Sequence, residues 1–457
     1  MKKTTTLLFI SLIISNIFAQ KDFADRYWFG ILEEAELPLN LHFETRNDSV
    51  YPVLYSPLQS NDKILPSYYR VTPDSLFINV KKLNFEGKWV YNHSDSTFRG
   101  HIKQYGNKLN INLKPADGIL KINRPQIPVR PLPYTEEEVL IENSIDDVTL
   151  SGTLTYPGEG KKFAAAILIS GSGAQNRDEE IFKHKPFMVI ADYLTRHGMA
   201  VLRCDDRGFG KSTGDINSTT LDFANDIEAM VKFLQSHPKI DKKKIGLIGH
   251  SEGGLIAPIV ASRNSSVAFI VLLAGPGING KETLLLQNQK ICEINGMADS
   301  LISKRIMILE KVLDINPNDG NKNILSKIDS IVKQHTSSRE ERKAIGYSPK
   351  EVMATSTLLQ NKWMQTFITF DPCPYLSKVK CPILALNGDK DCQVLPYENF
   401  EAIKKCTNDK AETMLFPNLN HLFQNCTTGG ADEYMTIEET FSEEVLKVIY
   451  QWIMKKL

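Results

Sequence analysis

The chain has 457 residues, too long for one ordinary domain, and predicts two or three domains with ample length for a core. Lys plus Arg (54) equals Asp plus Glu (54), so the formal net charge is zero. That balance argues against a nucleic-acid partner and against a like-charge interaction tail.

Residues 1–20, MKKTTTLLFISLIISNIFAQ, join a basic start to an apolar run and a small residue, Ala19. This is a signal-peptide pattern with cleavage near Ala19–Gln20, and it predicts an exported protein, periplasmic or secreted. The run is short for a spanning helix and no later segment is long and apolar enough, so no stable membrane insertion is expected. No cysteine stands at the cleavage point to carry a lipid anchor. The seven cysteines include no CxxC pair, which gives a zinc site no support, and no metal or organic cofactor is expected. Export permits disulfides, with pairing left open, as is the oligomeric state.

From 21 to 123 the chain reads as all-β. Short alternating runs such as LPLNLHFET, SLFINVKKL, STFRGHIKQ and NKLNINL are divided by Asn-Asp, Pro-Asp, Glu-Gly and Gly-Asn turns, which suits a small barrel or sandwich. A proline-rich stretch at 124–134, RPQIPVRPLPY, loses a backbone donor at each proline, favours an extended backbone and reads as a linker. From 135 to 457 the rhythm becomes α/β. VTLSGTLTYP resembles a strand pair. AAAILIS, MAVLRCD, KIGLIGH and VAFIVLLAG suit buried parallel strands, with helical patterns such as PFMVIADYLTRHG between them. The alternation resumes at CPILALNG and ETMLFP, before a last amphipathic helix. Between 281 and 370 the strand pattern is absent, and amphipathic helices predict a cap over one end of the sheet.

At the end of one apolar run stands GHSEG, Gly249 to Gly253, a G-x-S-x-G motif between a predicted strand and a predicted helix. On such a turn a serine hydroxyl is lifted clear of the sheet, so Ser251 is the candidate nucleophile. A serine hydroxyl near neutral pH needs a base, and in this sheet type the order is serine, acid, histidine. Two of nine histidines follow Ser251. His335 lies in a polar run inside the cap, whereas His421, in FPNLNHLFQ, follows the last predicted strand and is the candidate base. NGDKDCQV offers Asp391 as the acid, with Asp389 as the alternative whose other role is to cap the turn. An oxyanion hole needs two aimed N–H groups. The backbone of Glu252 supplies one. The loop SGSGA supplies the other, from Ser172 or, next, Gly173. Asp206 and Arg207 in DDRGFGKS read as anchors of a loop. Arg177 either faces substrate or pairs with Asp178. Trp363 and Phe367, at i and i+4, either line an acyl pocket or pack in a core.

Together GHSEGG, CDDRGFGKSTG, SGSGAQNRDE, NGDKDCQV and NLNHLFQ resemble the bacterial α/β-hydrolase esterases of the serine-aminopeptidase-like superfamily, over roughly Thr135 to Leu457. The resemblance implies an α/β-hydrolase fold with a helical cap, Ser251, Asp391 and His421 as the triad, and cleavage of a small-molecule ester of short acyl chain. YWFGIL, in the N-terminal part, is similar to the small β domain that precedes the hydrolase in some of these proteins. A serine peptidase of aminopeptidase or dipeptidyl-peptidase type uses the same triad. It needs acids to hold a substrate amine, and Glu282 and Glu293 in the cap are not marked as such a pair. The third reading is an envelope sugar- or lipid-binding protein with a vestigial hydrolase part.

Overall fold

The computed structural model describes residues 23–32, 37–46, 49–160 and 162–457; the segment read as a signal peptide lies outside them. The chain divides into two compact units, 1–123 and 124–457.

In the first unit nine strands form one antiparallel sheet: β1 (Tyr27–Leu32), β2 (Leu37–Arg46), β3 (Ser49–Ser56), β4 (Ser60–Ile64), β5 (Tyr68–Thr72), β6 (Ser75–Val80), β7 (Phe85–Asn92), β8 (Thr97–Gln104) and β9 (Asn107–Ala116). Their spatial order is 4-3-2-1-9-8-7-6-5. β1 pairs with β9, Tyr27 opposite Ala116, so the first and last strands meet in the middle of the sheet. Of the two expected forms this is a half-barrel rather than a sandwich: a single sheet coils around one core. That core is aromatic. Trp28 packs edge-on against Phe98 at 5.1 Å and Phe43 at 5.5 Å, and all three rings are buried. Alternation places them there, because β1, β2 and β8 each send every second residue inward.

The second unit is built on an eight-stranded sheet: β10 (Tyr134–Asn143), β11 (Val148–Pro157), β12 (Phe163–Ile169), β13 (Ala200–Cys204), β14 (Ile240–His250), β15 (Val267–Leu273), β16 (Ile383–Gly388) and β17 (Glu412–Phe416), in the order 10-11-13-12-14-15-16-17. β11 runs antiparallel to both its neighbours, β10 and β13, and the strands from β13 across to β17 are mutually parallel. VTLSGTLTYP, expected as a strand pair, is a single strand, β11. The turn falls earlier, at Asp147 with φ +54°, and Gly152 serves close approach instead: a Cβ there would meet Cys204 Sγ at 2.4 Å. The central parallel strands are buried on both faces. On β12, Ala166 and Leu168 pack under the helices Pro186–Arg196 and Glu443–Lys456, while Ile167 and Ile169 pack under Thr220–Ser236 and Gly253–Arg263. This doubly wound layering is the α/β-hydrolase fold.

Six helices, from Gly280–Ile294 to Lys362–Thr369, fill the insertion between β15 and β16. Ile308, Val312, Ile324, Ile328 and Val332 give them a core of their own. The side chain of Asn279 caps the first helix by accepting from the Glu282 N–H. A disulfide, Cys373–Cys406, ties the segment leaving the insertion to the helix Pro396–Cys406.

The proline-rich stretch expected as a linker is fastened to the second unit. Arg124 donates to the carbonyls of Phe182, Met435 and Ile437 at 2.8, 2.9 and 2.8 Å. Gln126 donates to the Phe441 carbonyl and accepts from the Thr440 and Phe441 N–H groups. Prolines removed the donors of this backbone, and two side chains replace them.

Removing the disulfide by the pair Cys373→Ala and Cys406→Ala is expected to lower the stability of the second unit by about 3 kcal/mol, since it frees a loop of some thirty residues in the unfolded chain. Urea unfolding of this variant beside the parent measures the shift, and added reductant should reproduce it in the parent alone.

Candidate active site

Ser251 occupies the corner between β14 and the helix Gly253–Arg263 with φ +51°, in the left-handed region that a residue with a Cβ seldom enters. The corner is held from both sides. The Ser251 N–H donates to the Leu273 carbonyl at 2.8 Å, and its own carbonyl accepts from the Gly254 N–H at 2.8 Å. Its flanking glycines are dictated by contact. A Cβ on Gly249 would lie 2.0 Å from the Gly253 carbonyl oxygen, and one on Gly253 would lie 2.2 Å from that of Ile169. The serine therefore stands at a helix N-terminus, where backbone N–H groups point toward any anion that forms beside it.

The loops after β16 and β17 bring an acid and an imidazole together. Asp391 Oδ2 lies 2.8 Å from His421 Nδ1. Its other oxygen accepts from the Gln393 and Val394 N–H groups at 2.7 and 2.9 Å, which fixes the carboxylate in a buried turn. Asp389 points elsewhere: its Oδ1 accepts from the Asn418 N–H at 2.7 Å and closes the turn between the two loops. His421 and Ser251 line the same cavity, of about 480 Å³.

The loop after β12 forms another wall. Gly171 and Ser172 line the cavity. Gly173, the next residue, has φ +92° and open space where a Cβ would stand, and it is not among the residues that line the cavity. The Gly171 N–H is engaged by Glu179 Oε1 at 2.7 Å. Asp206 holds the loop from behind, accepting from Ser170 Oγ at 2.7 Å and from the Gln175 N–H at 2.9 Å. Arg207 anchors the following turn on Asp226 and Asp146.

Glu252 contributes a side chain as well as an N–H. Its buried carboxyl accepts from Thr220 Oγ1 at 2.6 Å and from the Trp363 indole Nε1 at 2.7 Å. Burial raises this carboxyl above the ordinary range against those hydrogen bonds and one from Ser172. Trp363 and Phe367 stack at 5.2 Å between centroids on one face of the helix Lys362–Thr369, and both line the cavity with Met364 and Leu284. Trp363 thus joins the insertion to the serine's own turn.

Arg177 does not line the cavity, contrary to its expected place against substrate, and it does not pair with Asp178. Its guanidinium is spent on Asp205, Glu138, Ser151 and Thr153, with Asp205 Oδ2 at 2.8 Å. Burial opposes the charge on Asp205, yet Arg177 holds that carboxyl below its ordinary range. Asp178 pairs with Arg203 instead. Among the cavity residues that the sequence reading did not single out are Glu179, His250, Gln393 and Tyr434. His250 sits inside GHSEG and Glu179 follows NRD, so both lay within motifs already singled out. Gln393 donates to the Tyr434 hydroxyl at 3.0 Å, a pairing of distant residues that no local pattern announces.

The family model for serine aminopeptidase, S33, matches residues 185–425. Esterase EstD of Thermotoga maritima is 24% identical over 328 residues, 70% of this chain and 69% of that protein. Among solved structures, the Pyrococcus furiosus esterase Pf2001 aligns over 74% of this chain and 98% of its own at 18% identity, with a TM-score of 0.42. Est1E from Butyrivibrio proteoclasticus, with ferulic acid bound, aligns over 70% and 98% at 17% identity and a TM-score of 0.41.

Arg177→Ala is expected to destabilise the second unit by about 3 kcal/mol or more, because it leaves the buried Asp205 without its cation. Chemical denaturation measures that loss. The KM of the folded fraction for an ester should stay at the parent value, whereas a residue touching substrate would raise it.

Proposed function

Because the chain belongs to the serine aminopeptidase, S33, family of α/β hydrolases, we propose that it is a serine esterase that cleaves carboxylic esters of short acyl chain through an acyl-enzyme on Ser251. The observation that carries this reading is the Asp391–His421 hydrogen bond, 2.8 Å long, beside a cavity that Ser251 also lines. EstD, an esterase by name, supports the ester class.

In the proposed reaction Ser251 Oγ attacks the ester carbonyl and His421 Nε2 takes its proton. Asp391 keeps the imidazole in the tautomer that leaves Nε2 free to accept, and it stabilises the charged ring that forms. The backbone N–H groups of Glu252 and Ser172 hold the oxyanion, each worth ~10²–10³ in turnover. His421 then gives its proton to the departing alcohol. Water attacks the acyl-enzyme by the same route in reverse, releasing the acid and restoring Ser251.

The lining favours an uncharged substrate. Of its two carboxyl groups, Glu179 is engaged by Gly171 and His250, and Glu252 by Thr220 and Trp363. Neither offers a free carboxylate to an α-amine. Glu282 and Glu293, which a peptidase would recruit, are exposed on the insertion and do not line the cavity. Trp363, Phe367, Met364 and Leu284 supply the apolar surface for an acyl chain. Export remains part of the proposal, supported by the leader pattern of residues 1–20 and by the Cys373–Cys406 disulfide.

Ser251→Ala should lower kcat for a p-nitrophenyl ester by about 10⁴–10⁶-fold while the protein unfolds at the parent temperature. Near-parent turnover would remove Ser251 as nucleophile. A series of p-nitrophenyl esters from acetate to laurate, run beside aminoacyl-arylamides, should peak at the short acyl end. Faster cleavage of the arylamides would make the enzyme a peptidase.

A further inference from the structure

His250 precedes Ser251 and is buried in the cavity wall. Its Nδ1 lies 2.9 Å from Glu179 Oε1, and its Nε2 lies 2.9 Å from the main-chain oxygen of His421. The same Glu179 oxygen accepts from the Gly171 N–H at 2.7 Å. One acid and one imidazole therefore connect three separate segments: the loop after β12, the turn carrying Ser251, and the loop carrying His421.

The proton count follows from the acceptors. A carbonyl oxygen can only accept, so His250 Nε2 carries a proton. Between Nδ1 and Glu179 Oε1 a second proton is required, whichever atom holds it, or two lone pairs would face each other at 2.9 Å. With the pair's last shared proton gone, one of the two ring contacts becomes repulsive. The groups facing the ring are Glu179 from the segment after the β12 loop, and His421 and Asp391 from the loops after β17 and β16; the two imidazole centroids are 4.8 Å apart. Burial works against a charged ring here. Glu179, the His421 carbonyl and Asp391 outweigh it and raise the affinity of His250 for its proton.

We infer that Glu179 and His250 form a positioning pair that holds the Gly171–Ser172 loop and the His421 loop in register with Ser251, and that it loosens both when its shared proton is lost as pH rises. This rests on the reading of Ser251 and His421 as nucleophile and base. Neither Glu179 nor His250 moves a proton in the reaction; each acts through the groups it holds. A proton held more tightly in the folded protein supports positioning fully below the ordinary imidazole value, and that support is lost as pH rises through the folded value. Misplacement of reacting groups by about 1 Å costs on the order of 10²-fold in rate.

The test is Glu179→Gln in the full-length protein, assayed as kcat against pH with a short p-nitrophenyl ester. Glutamine keeps an acceptor for the Gly171 N–H and removes the negative charge that sustains the protonated ring. The expected result is a kcat lower by about 10–100-fold at neutral pH with KM little changed, and an alkaline limb displaced to lower pH. An unmoved limb with parent kcat overturns the inference. Histidine-selective ¹⁵N NMR of the parent decides the matter if the variant does not fold. One ring, absent in His250→Gln or otherwise displaced when Ser251 is modified, should keep both nitrogens protonated to higher pH than a free imidazole and lose a proton together with kcat. The absence of such a ring overturns the inference. Fluorophosphonate labelling of the parent separates the two readings: no labelling of Ser251 removes the serine-hydrolase reading itself, whereas labelling with an unmoved limb removes only the positioning pair.

Discussion

The site depends on one strained residue. Ser251 is held at φ +51°, a conformation costing of the order of 1–3 kcal/mol for a residue with a side chain. The chain sustains it by over-determining the backbone around it. The Ser251 N–H is tied to the neighbouring strand at Leu273, and Gly249 and Gly253 approach so closely that a single methyl group would break the turn. A serine on a relaxed loop would reach more positions but occupy the productive one less often. Here the parallel strands on either side and the helix that follows fix the serine in the wall of a cavity that His421 also lines.

Around that corner the buried charges serve as fasteners. Arg177 with Asp205, Arg207 with Asp226, and Arg203 with Asp178 all bind loops that rise from the sheet's carboxyl edge. Such pairs add little net stability, because taking the ions out of water offsets most of their attraction. What they confer is a defined arrangement: Arg177 and Arg207 each make several hydrogen bonds to groups from separate segments. Asp206 does the same for the loop that carries Ser172, through Ser170 and the Gln175 N–H. The loops that line the cavity are thus held from behind by groups that each bind more than one segment.

Much of this was legible in the chain. The buried parallel strands stood out as apolar runs, and GHSEG between strand and helix marked the nucleophile's turn, because both signals are local. Chain order selected His421 from nine histidines. Asp391 and Asp389 differ by two residues and could be told apart only by the direction of the turn, which the hydrogen bonds of Gln393 and Val394 fix. Arg177 was ambiguous for a different reason. Its partners Glu138, Ser151, Thr153 and Asp205 come from three separate segments, and no periodicity encodes their meeting. The Trp363–Glu252 bond spans 111 residues and was invisible for the same cause. In the first unit alternation revealed strands but not closure: the pairing of β1 with β9, which makes one coiled sheet, is a long-range fact.

The insertion leaves after β15 and returns at β16, and these two strands are hydrogen-bonded neighbours, Ile270 opposite Ile383. Its helices carry their own apolar centre. The roof can therefore be rebuilt, lengthened or exchanged in evolution without re-threading the floor, since departure and return share one edge-to-edge seam. Selectivity and chemistry become separately heritable: mutations overhead retune which molecules enter, while the machinery below stays untouched.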